Sequence, residues 1–438
     1  MSGVFIAIMM IVLALALIVL GVHIGVTLLA TSVLGIWLIV GDFSIAASLM
    51  GTGPFYATFD YALAVIPLFV LMGLFANASG ASRDLYNAGF AWFGRLPGGL
   101  GIVTVVANAV FAAVTGVSIA SAAVFSKIAV PQMLRFGYSA RFSTGCVAGS
   151  SALGMLIPPS IMLIIYGILT NESVGGLFIA GIVPGVLLTV NYSIAIMIMA
   201  CFFPKILGSP ERPEKMGWGE RVRALGRASS VGGLVVLVLG GMYAGMFTPT
   251  EAGAVGCVGA LVIMVLKGRF NIKDLKTTLM DAGFTTASVF LLFIGAQMFG
   301  RMLTISGAVA DLSQWVTTLQ IHPTLIIVGM LIIMMLMGTF LDVISILVIS
   351  IPIMLPMLET LQINLIWFGI LATISIETGL VTPPFGMSVF VVKGSLGDLV
   401  SIEEIFIGSI PFLLVLFVTI AILLFNPWLV TWLPHMMG

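Results

Sequence analysis

Long apolar stretches separated by short polar turns make up most of this chain. A helix rises 1.5 Å per residue and the hydrocarbon core of a bilayer is about 30 Å thick, so stretches of this length suit membrane-spanning helices. The pattern therefore predicts an all-α polytopic membrane protein. The candidate spanning segments are residues 4–20, 22–40, 61–79, 100–117, 174–203, 231–247, 252–266, 286–305, 324–341 and 405–425.

Two polar, glycine-bearing turns that end in a Pro-Pro pair interrupt this pattern, SSALGMLIPPS at 150–160 and ETGLVTPPFG at 377–386. Another proline precedes each pair by 27 residues, at positions 131 and 158 and again at 356 and 383. Irregular backbone persists at membrane depth only where protein or a wet cavity satisfies it. Matching interruptions in two hydrophobic halves indicate the substrate and ion site of a secondary transporter, although kinks without a ligand would give the same pattern.

The chain divides into a first repeat at 1–203, a polar linker at 204–228 and a second repeat at 229–438. Each repeat is predicted to carry a re-entrant helical hairpin, at about 140–171 and about 364–394. Five predicted crossings separate the hairpins, and this odd number predicts inverted repeats. The basic linker favours the cytoplasm. Strict alternation then puts Lys127, Arg135 and Arg141 outside, which leaves the absolute orientation open.

Composition narrows the function. With 60% hydrophobic and 8% charged residues, the chain cannot be a soluble globule, in which about 25% of residues are charged. The 17 basic and 17 acidic residues cancel, which gives no basis for binding nucleic acid. Scattered cysteines and histidines predict no metal centre or other cofactor, and the first helix is expected to be retained. No nucleotide-binding loop or catalytic pair occurs, so we expect an ion-driven transporter and not an enzyme.

Oxygen-bearing side chains around both turns suggest cation sites, because hard cations prefer hydroxyl, carbonyl and carboxylate ligands. Gly154 and Gly379 allow the backbone to turn, and the prolines leave carbonyls without competing donors. The supply fits two sodium sites, one per hairpin, although each hydroxyl could instead bond its own backbone. The candidates are Thr115, Ser118, Ser121, Ser150, Ser151 and Ser160 around the first turn, and Asp342, Ser345, Ser375, Glu377, Thr378 and Thr382 around the second.

Charged residues at membrane depth are candidates for function. Glu377 and Asp342 could be ion or proton sites, or could orient a hairpin. Arg301 is the only basic residue within 286–305, which makes it the natural partner of an anionic substrate unless it extends to the interface. The further candidates for substrate contact are Ser160 and Glu377 again, with Pro158 and Pro383.

Several segments resemble, over nearly the whole chain, the large membrane subunit of the tripartite ATP-independent periplasmic (TRAP) transporters, the DctM-like family. They are AVTGVSIASAA at 113–123, GSSALGMLIPPSIMLIIYG at 149–167, GMFTPTEAGAVG at 245–256, GTFLDVISILVISIPIMLP at 338–356 and TGLVTPPFGMSVFVVKG at 378–394. The resemblance implies sodium-coupled uptake of a small organic acid anion across the bacterial inner membrane by an elevator-type motion.

By motif, the resemblance implies sodium ligands around Ser118, Ser150, Ser151, Gly154, Thr378, Gly379 and Thr382. Members of the family often have a glycine where this chain has Ile119, which weakens the assignment of sodium ligands at that position. Two protein partners are implied besides membrane lipids: a periplasmic substrate-binding protein (DctP-like) and a small four-helix membrane subunit (DctQ-like), expected here as a separate chain. The alternative is a stand-alone sodium- or proton-coupled dicarboxylate carrier. The sequence does not identify the organic acid.

Overall fold

The structure is a computed structural model that describes residues 2–211, 213–318 and 321–437. The described part of the first repeat and the linker consists of helices joined by turns and loops, with one isolated β-bridge. Its helices are α1 (Gly3–Val19), α2 (Ile24–Val40), α3 (Phe43–Thr58), α4 (Val65–Ala78), α5 (Ala81–Phe93), α6 (Gly99–Thr115), α7 (Ser118–Arg135), α8 (Ala140–Ser150), α9 (Leu153–Leu156), α10 (Ile161–Thr170), α11 (Val174–Phe202), α12 (Pro204–Leu207) and α13 (Trp218–Val235).

The second repeat is helical in the same way. A π-helical turn at Val236–Gly240 extends α13. The helices that follow are α14 (Gly241–Tyr243), α15 (Pro249–Leu266), α16 (Ile272–Ser306), α17 (Ala308–Thr318), α18 (Pro323–Gly338), α19 (Val343–Thr360), α20 (Leu365–Val381), α21 (Met387–Leu396), α22 (Ile402–Phe425) and α23 (Trp428–Met437).

These helices have the dimensions of a polytopic membrane protein, as predicted. Within the described residues, 7 helices are long and apolar enough to cross a bilayer, or up to 8 if one bent pair counts as a single span. Large apolar side chains such as Val19, Leu266 and Phe425 are 75 to 87% exposed. Such exposure is favourable in lipid but not in water.

The polypeptide reverses direction between α6 and α7. The rings of Phe111 and Phe125 are 5.5 Å apart, and the Leu100 amide donates to the Tyr138 hydroxyl at 3.3 Å. The midpoints of these two pairs are residues 118 and 119, just after Gly116, which has a left-handed φ of 62° and ends α6. Helices α6 and α7 therefore form a hairpin that enters and leaves on one face of the molecule.

The first Pro-Pro region differs from its predicted hairpin. The chain bends by 42° between Ala140–Leu156 and Ile161–Thr170, which is far from a reversal. Tyr138, just before α8, forms a β-bridge with Gly208, just after α12, and the Ser139 amide donates to the Leu207 carbonyl at 2.6 Å. Helix α11 crosses the membrane and ends beside α12, on the face where α8 starts. Helix α10 precedes α11 and therefore ends on the opposite face, so α8 to α10 must cross as well. Residues 140–171 are a broken span, and the reversal expected there lies at Gly116 instead.

This course removes the conflict in the charge pattern. Arg135 and Arg141 flank the loop that pairs with the start of the linker, so they lie on the same face as the basic linker. The predicted number of crossings placed Arg135 and Arg141 on the face opposite the linker, because it treated 140–171 as a segment that does not cross. The distribution of basic residues now follows the positive-inside tendency.

The second repeat has the same order of elements. The Ser350 hydroxyl lies 3.4 Å from the sulfur of Met337, although a continuous helix would separate residues this far apart by about 20 Å. Helices α18 and α19 therefore form a second hairpin. The Tyr166 hydroxyl, near the end of α10, donates to the Leu365 carbonyl at the start of α20 at 2.6 Å. Helix α20 thus starts where α10 ends and runs in the opposite direction.

The second Pro-Pro region, predicted as a hairpin over about 364–394, also crosses. The Trp367 indole at the start of α20 donates to the Leu423 carbonyl at the end of α22, at 2.9 Å. The start of α22 packs instead on the start of α8: a Cβ on Gly408 would lie 1.9 Å from the Arg141 carbonyl oxygen. Because α22 returns to the face where α20 began, α20 and α21 together traverse the molecule.

The remaining long helices pack beside these hairpins and broken spans. The 35-residue α16 approaches α2 so closely that a Cβ on Gly295 would lie 2.7 Å from the Gly25 carbonyl oxygen. Helix α15 packs along α4, and its C-terminal Lys267 pairs with Asp84 of α5 at 2.6 Å. We refer to α1 to α4 and α13 to α17 as the flanking helices.

Candidate functional site

The tip of the first hairpin lies against the break between α8 and α10. A Cβ on Gly154 would lie 2.8 Å from the Ser118 Cα and 2.9 Å from its amide nitrogen. The Ile161 amide donates to the Gly116 carbonyl at 3.3 Å. Glycine at position 154 is therefore required for this approach, and the predicted residues Ser118 and Gly154 are indeed neighbours.

Asn108 ties the hairpin to the broken span. Its Nδ2 donates to the Ser150 hydroxyl at 2.7 Å, and its Oδ1 accepts from the Ser121 hydroxyl at 2.5 Å. All three side chains are fully buried. Asn108 is not among the residues predicted from the sequence, although a lone amide within the apolar helix α6 is a recognisable signal of interhelical hydrogen bonding.

The other hydroxyls of the first break bond to their own backbone. Ser151 donates to the Ala148 carbonyl at 2.7 Å. Ser160 donates to the Met155 carbonyl at 2.5 Å and caps α10 by accepting from the Leu163 amide at 3.3 Å. These bonds leave the hydroxyl oxygens with acceptor capacity only, which still allows them to coordinate a cation.

Glu377 is the most unusual residue in the membrane-embedded region. It is 1% exposed, and neither carboxylate oxygen has a hydrogen-bond partner. The Ser118 hydroxyl, from the tip of the first hairpin, lies near this carboxylate and is also without a formed hydrogen bond. Ser388, at the start of α21, is another buried hydroxyl without a hydrogen-bond partner. Leaving a buried carboxylate unpaired is costly, so these oxygens are candidates for binding a cation or a proton.

The break between α20 and α21 packs on the second hairpin, just as the break between α8 and α10 packs on the first hairpin. A Cβ on Gly379 would lie 2.2 Å from the Met335 carbonyl oxygen and 2.7 Å from the Gly338 Cα, at the end of α18. Thr378 and Thr382 are stacked one turn apart on α20: the Thr378 hydroxyl donates to the Ile374 carbonyl and the Thr382 hydroxyl to the Thr378 carbonyl, both at 2.7 Å.

Asp342 and Ser345 occupy the tip of the second hairpin. The Asp342 carboxylate caps α19 by accepting from the amides of Ile344 and Ser345 at 3.1 and 3.2 Å, and the Ser345 hydroxyl donates to it as well. The carboxylate also lines a cavity of about 320 Å³ beside His23 of the α1–α2 turn. Asp342 is thus engaged in a helix cap, whereas Glu377 is unpaired.

Arg301 lies apart from the Pro-Pro turns. It lines a cavity of about 380 Å³ together with Gln297, Thr304, Leu169 and Pro352, between α3, α10, α16 and α19. Arg301 has no ion-pair partner within the described residues. The other predicted substrate contacts, Ser160, Glu377, Pro158 and Pro383, do not line this cavity. Gln297 and Thr304 are polar lining residues that the sequence analysis missed.

Two hairpins whose tips rest on two antiparallel broken helices, with unpaired polar groups at the junction, are the architecture of a multi-pass membrane transporter. A sequence profile described as "Tripartite ATP-independent periplasmic transporter, DctM component" matches residues 11–429. The chain therefore belongs to the DctM family and is the large permease subunit of a TRAP transporter, located in the bacterial inner membrane.

Individual relatives agree with this assignment. The chain is 34% identical over 379 residues to the C4-dicarboxylate TRAP transporter large permease protein DctM of Pseudomonas aeruginosa, covering 86% of this chain and 87% of that protein. It is 30% identical over 378 residues to the sialic acid TRAP transporter large permease protein SiaM of Vibrio cholerae, with 86% and 87% covered. These relatives are transporter permeases and not enzymes.

A solved structure shares the fold. The crystal structure of the YdaH transporter of Alcanivorax borkumensis, described as having an unusual topology, matches with a TM-score of 0.61 at 15% identity. The match covers 87% of this chain and 88% of that one. At this identity the likeness supports the all-helical transporter fold.

Proposed function

We propose that this chain carries out sodium-coupled uptake of a small organic acid anion delivered by a periplasmic substrate-binding protein. It does so together with a small four-helix membrane subunit. The observation that carries the proposal is the junction of the first hairpin tip with both broken helices, where Ser118 and Glu377 are buried without hydrogen-bond partners. Unpaired buried oxygens with close backbone carbonyls offer what a dehydrated sodium ion needs.

Two sodium sites are proposed, one at each hairpin tip. The first uses Ser118, Ser150, Ser151 and the backbone near Gly154. The second uses the residues around the second break and hairpin tip, which are Asp342, Ser345, Thr378, Gly379 and Thr382. In each half a glycine of the broken helix touches backbone of its hairpin, which supports the comparison between halves. A sodium ion at either junction would tie hairpin and broken helix together.

Arg301 is proposed to bind the anionic group of the substrate. It is the unpaired cation of a cavity lined partly by α16 and partly by α10 and α19, which belong to the hairpin and broken-span elements. A substrate held there would contact both sets of elements. This placement supports an elevator-type motion, in which two inverted repeats carry hairpins and broken spans past the flanking helices.

Proton coupling through Glu377 is a second candidate. A carboxylic acid whose oxygens lack partners within the described residues is stable when protonated, because the neutral form avoids the cost of a buried charge. The protonated Glu377 carboxyl would then donate a hydrogen bond to the oxygen of the nearby Ser118 hydroxyl. A proton gradient would replace the sodium gradient in this mechanism.

The test is uptake into proteoliposomes that contain this chain and its small membrane subunit. Candidate anions are chosen by thermal shift of the binding protein. Sodium and proton gradients are imposed separately, each with and without the binding protein. Uptake that needs both sodium and the binding protein is expected. Uptake driven by the proton gradient alone would favour the Glu377 alternative, and equal uptake without the binding protein would identify a stand-alone carrier.

Arg301 has its own test in the same vesicles. Arg301→Gln is expected to raise the KM for the anion at least tenfold, with Arg301→Lys intermediate, because lysine keeps the charge but not the fork of donors. Arg83→Gln, on the exposed side of α5, is the matched control and should leave KM unchanged. Equal KM values in Arg301→Gln and the wild type would show that the anion binds elsewhere.

A further inference from the structure

An apolar groove lies between α5, α6 and α13, away from the hairpin tips. Its volume is about 470 Å³. Each of the three helices contributes apolar or small side chains, and polar atoms contribute almost nothing to its walls. The principal lining residues are Gly89 and Trp92 of α5, Val106 and Val110 of α6, and Leu225 and Ser229 of α13.

One end of this groove carries a positive charge between two tryptophans. The Arg221 guanidinium lies 6.0 Å from the Trp92 ring and 5.7 Å from the Trp218 ring, and the two rings meet edge to face at 6.1 Å. The Arg221 Nε is buried without a hydrogen-bond partner, and this side chain has no ion pair among the described residues. Trp92 also lines the groove, so the charge is at its mouth.

The mouth opens at the membrane face that carries the basic linker. Helix α5 ends next to Trp92, and α6 starts a few residues later, where Leu100 bonds Tyr138 beside the linker bridge. Tryptophan and arginine side chains are typical of the interface between lipid headgroups and hydrocarbon. From Arg221 to Gly232 the groove follows α13 for about 16 Å, close to half of a hydrocarbon core of about 30 Å.

We propose that an anionic phospholipid occupies this groove, with its phosphate on Arg221 and one acyl chain along α13. The groove has the length of one leaflet, its wall suits a hydrocarbon chain, and its unpaired cation lies at headgroup level. Anionic lipids are attracted to such basic interfacial residues. Because Val106 and Val110 belong to the first hairpin, the acyl chain contacts the element that bears Asn108. The proposal depends on the fold and not on sodium coupling.

Arg223 offers a matched control. It lies on the opposite side of α13, where it lines a separate polar cavity with Glu220 and Arg227. Removing its charge changes the net charge of the chain by the same amount as removing that of Arg221, without altering the groove. Ser229→Phe is a second test, because a ring at this exposed position fills the groove and leaves Arg221 intact.

The experiment uses the permease with its small subunit in nanodiscs, with Trp92 and Trp218 kept and the other tryptophans replaced by Phe. Brominated phosphatidylglycerol or brominated phosphatidylcholine is added at the same mole fraction, and the quenching of tryptophan fluorescence by the bromine atoms is measured. At least threefold stronger quenching by the anionic lipid is expected. This preference should be lost in Arg221→Gln and Ser229→Phe, retained in Arg223→Gln, and unaffected by inorganic phosphate.

Three outcomes would overturn the proposal. Equal quenching by the two headgroups would mean that the tryptophans meet only bulk lipid. No quenching by either lipid would mean that protein, such as the small subunit, covers the groove. An unchanged preference in folded Arg221→Gln, judged by its elution profile and melting temperature, would remove Arg221 from the site.

Discussion

Substitution of Asn108 by Ala separates a structural role of the hairpin from a role in sodium binding. The change removes the two hydrogen bonds that join Asn108 to Ser150 and Ser121, at 2.7 and 2.5 Å. Interhelical hydrogen bonds in membranes average about 0.6 kcal/mol and reach about 1.7 kcal/mol. Two such bonds give about 1 to 3 kcal/mol, which corresponds to a change of about 5- to 150-fold in an equilibrium between two arrangements.

We expect Asn108→Ala to raise the sodium concentration for half-maximal uptake within this range, because the hairpin tip would no longer be fixed to the broken span. The assay is initial uptake against sodium concentration in proteoliposomes, with thermal unfolding of the same protein measured in detergent. Ser150→Ala combined with Asn108→Ala should lower the melting temperature by much less than the sum of the single effects, since each substitution removes the same Asn108–Ser150 hydrogen bond.

Asn191→Ala is the matched control. Asn191 donates to the Thr419 hydroxyl at 3.0 Å between α11 and α22, so it loses an interhelical bond of the same kind away from the tip. Its melting temperature should fall while its sodium midpoint stays at the wild-type value. A wild-type sodium midpoint in Asn108→Ala, with lowered thermal stability, would refute the reasoning and leave Asn108 a purely structural residue.

Three further predictions use the same vesicles. Gly154→Ala should lower uptake at least tenfold, because its Cβ would meet Ser118 backbone at 2.8 Å, whereas Gly329→Ala on open α18 should be neutral; equal activities would contradict the close packing. Ser118→Ala should raise the sodium midpoint at least fivefold without lowering thermal stability, since no formed hydrogen bond is lost; an unchanged midpoint would exclude it as a ligand. Glu377→Gln should abolish sodium-driven uptake, because the neutral amide cannot supply the negative charge that holds the cation; sodium-driven uptake at the wild-type rate would remove the Glu377 charge from the sodium site.

Much of the fold was predictable because hydrophobic length is a strong signal in a membrane protein. The predicted segment 174–203 is α11, Val174–Phe202, and 405–425 lies within α22. The Pro-Pro pairs marked both broken helices correctly as interruptions. Whether the chain bends or reverses at these turns was not predictable, because both leave the same sequence pattern. The true reversal at Gly116–Val117 is also a shorter and less conspicuous break than the turn that contains Pro158.

The types of residue in the candidate site were predictable from the sequence, but which of these residues lie next to each other was only partly predictable. Ser118 and Gly154 are far apart in sequence yet in contact, as the oxygen-rich turns suggested. Ser118 of the first half lies near Glu377 of the second, and this proximity depends on packing that no local pattern encodes. Arg301 was grouped with the turns because of its charge, but α16 places it in a separate cavity.

Simultaneous uptake of radioactive sodium and labelled substrate tests the central proposal most directly. Proteoliposomes with the complete membrane complex would receive saturated binding protein, and both labels would be counted in the same vesicles over the initial phase. Sodium coupling predicts that the two enter in a constant ratio, and that Ser118→Ala changes that ratio or stops both. Substrate entry without sodium entry would contradict the account.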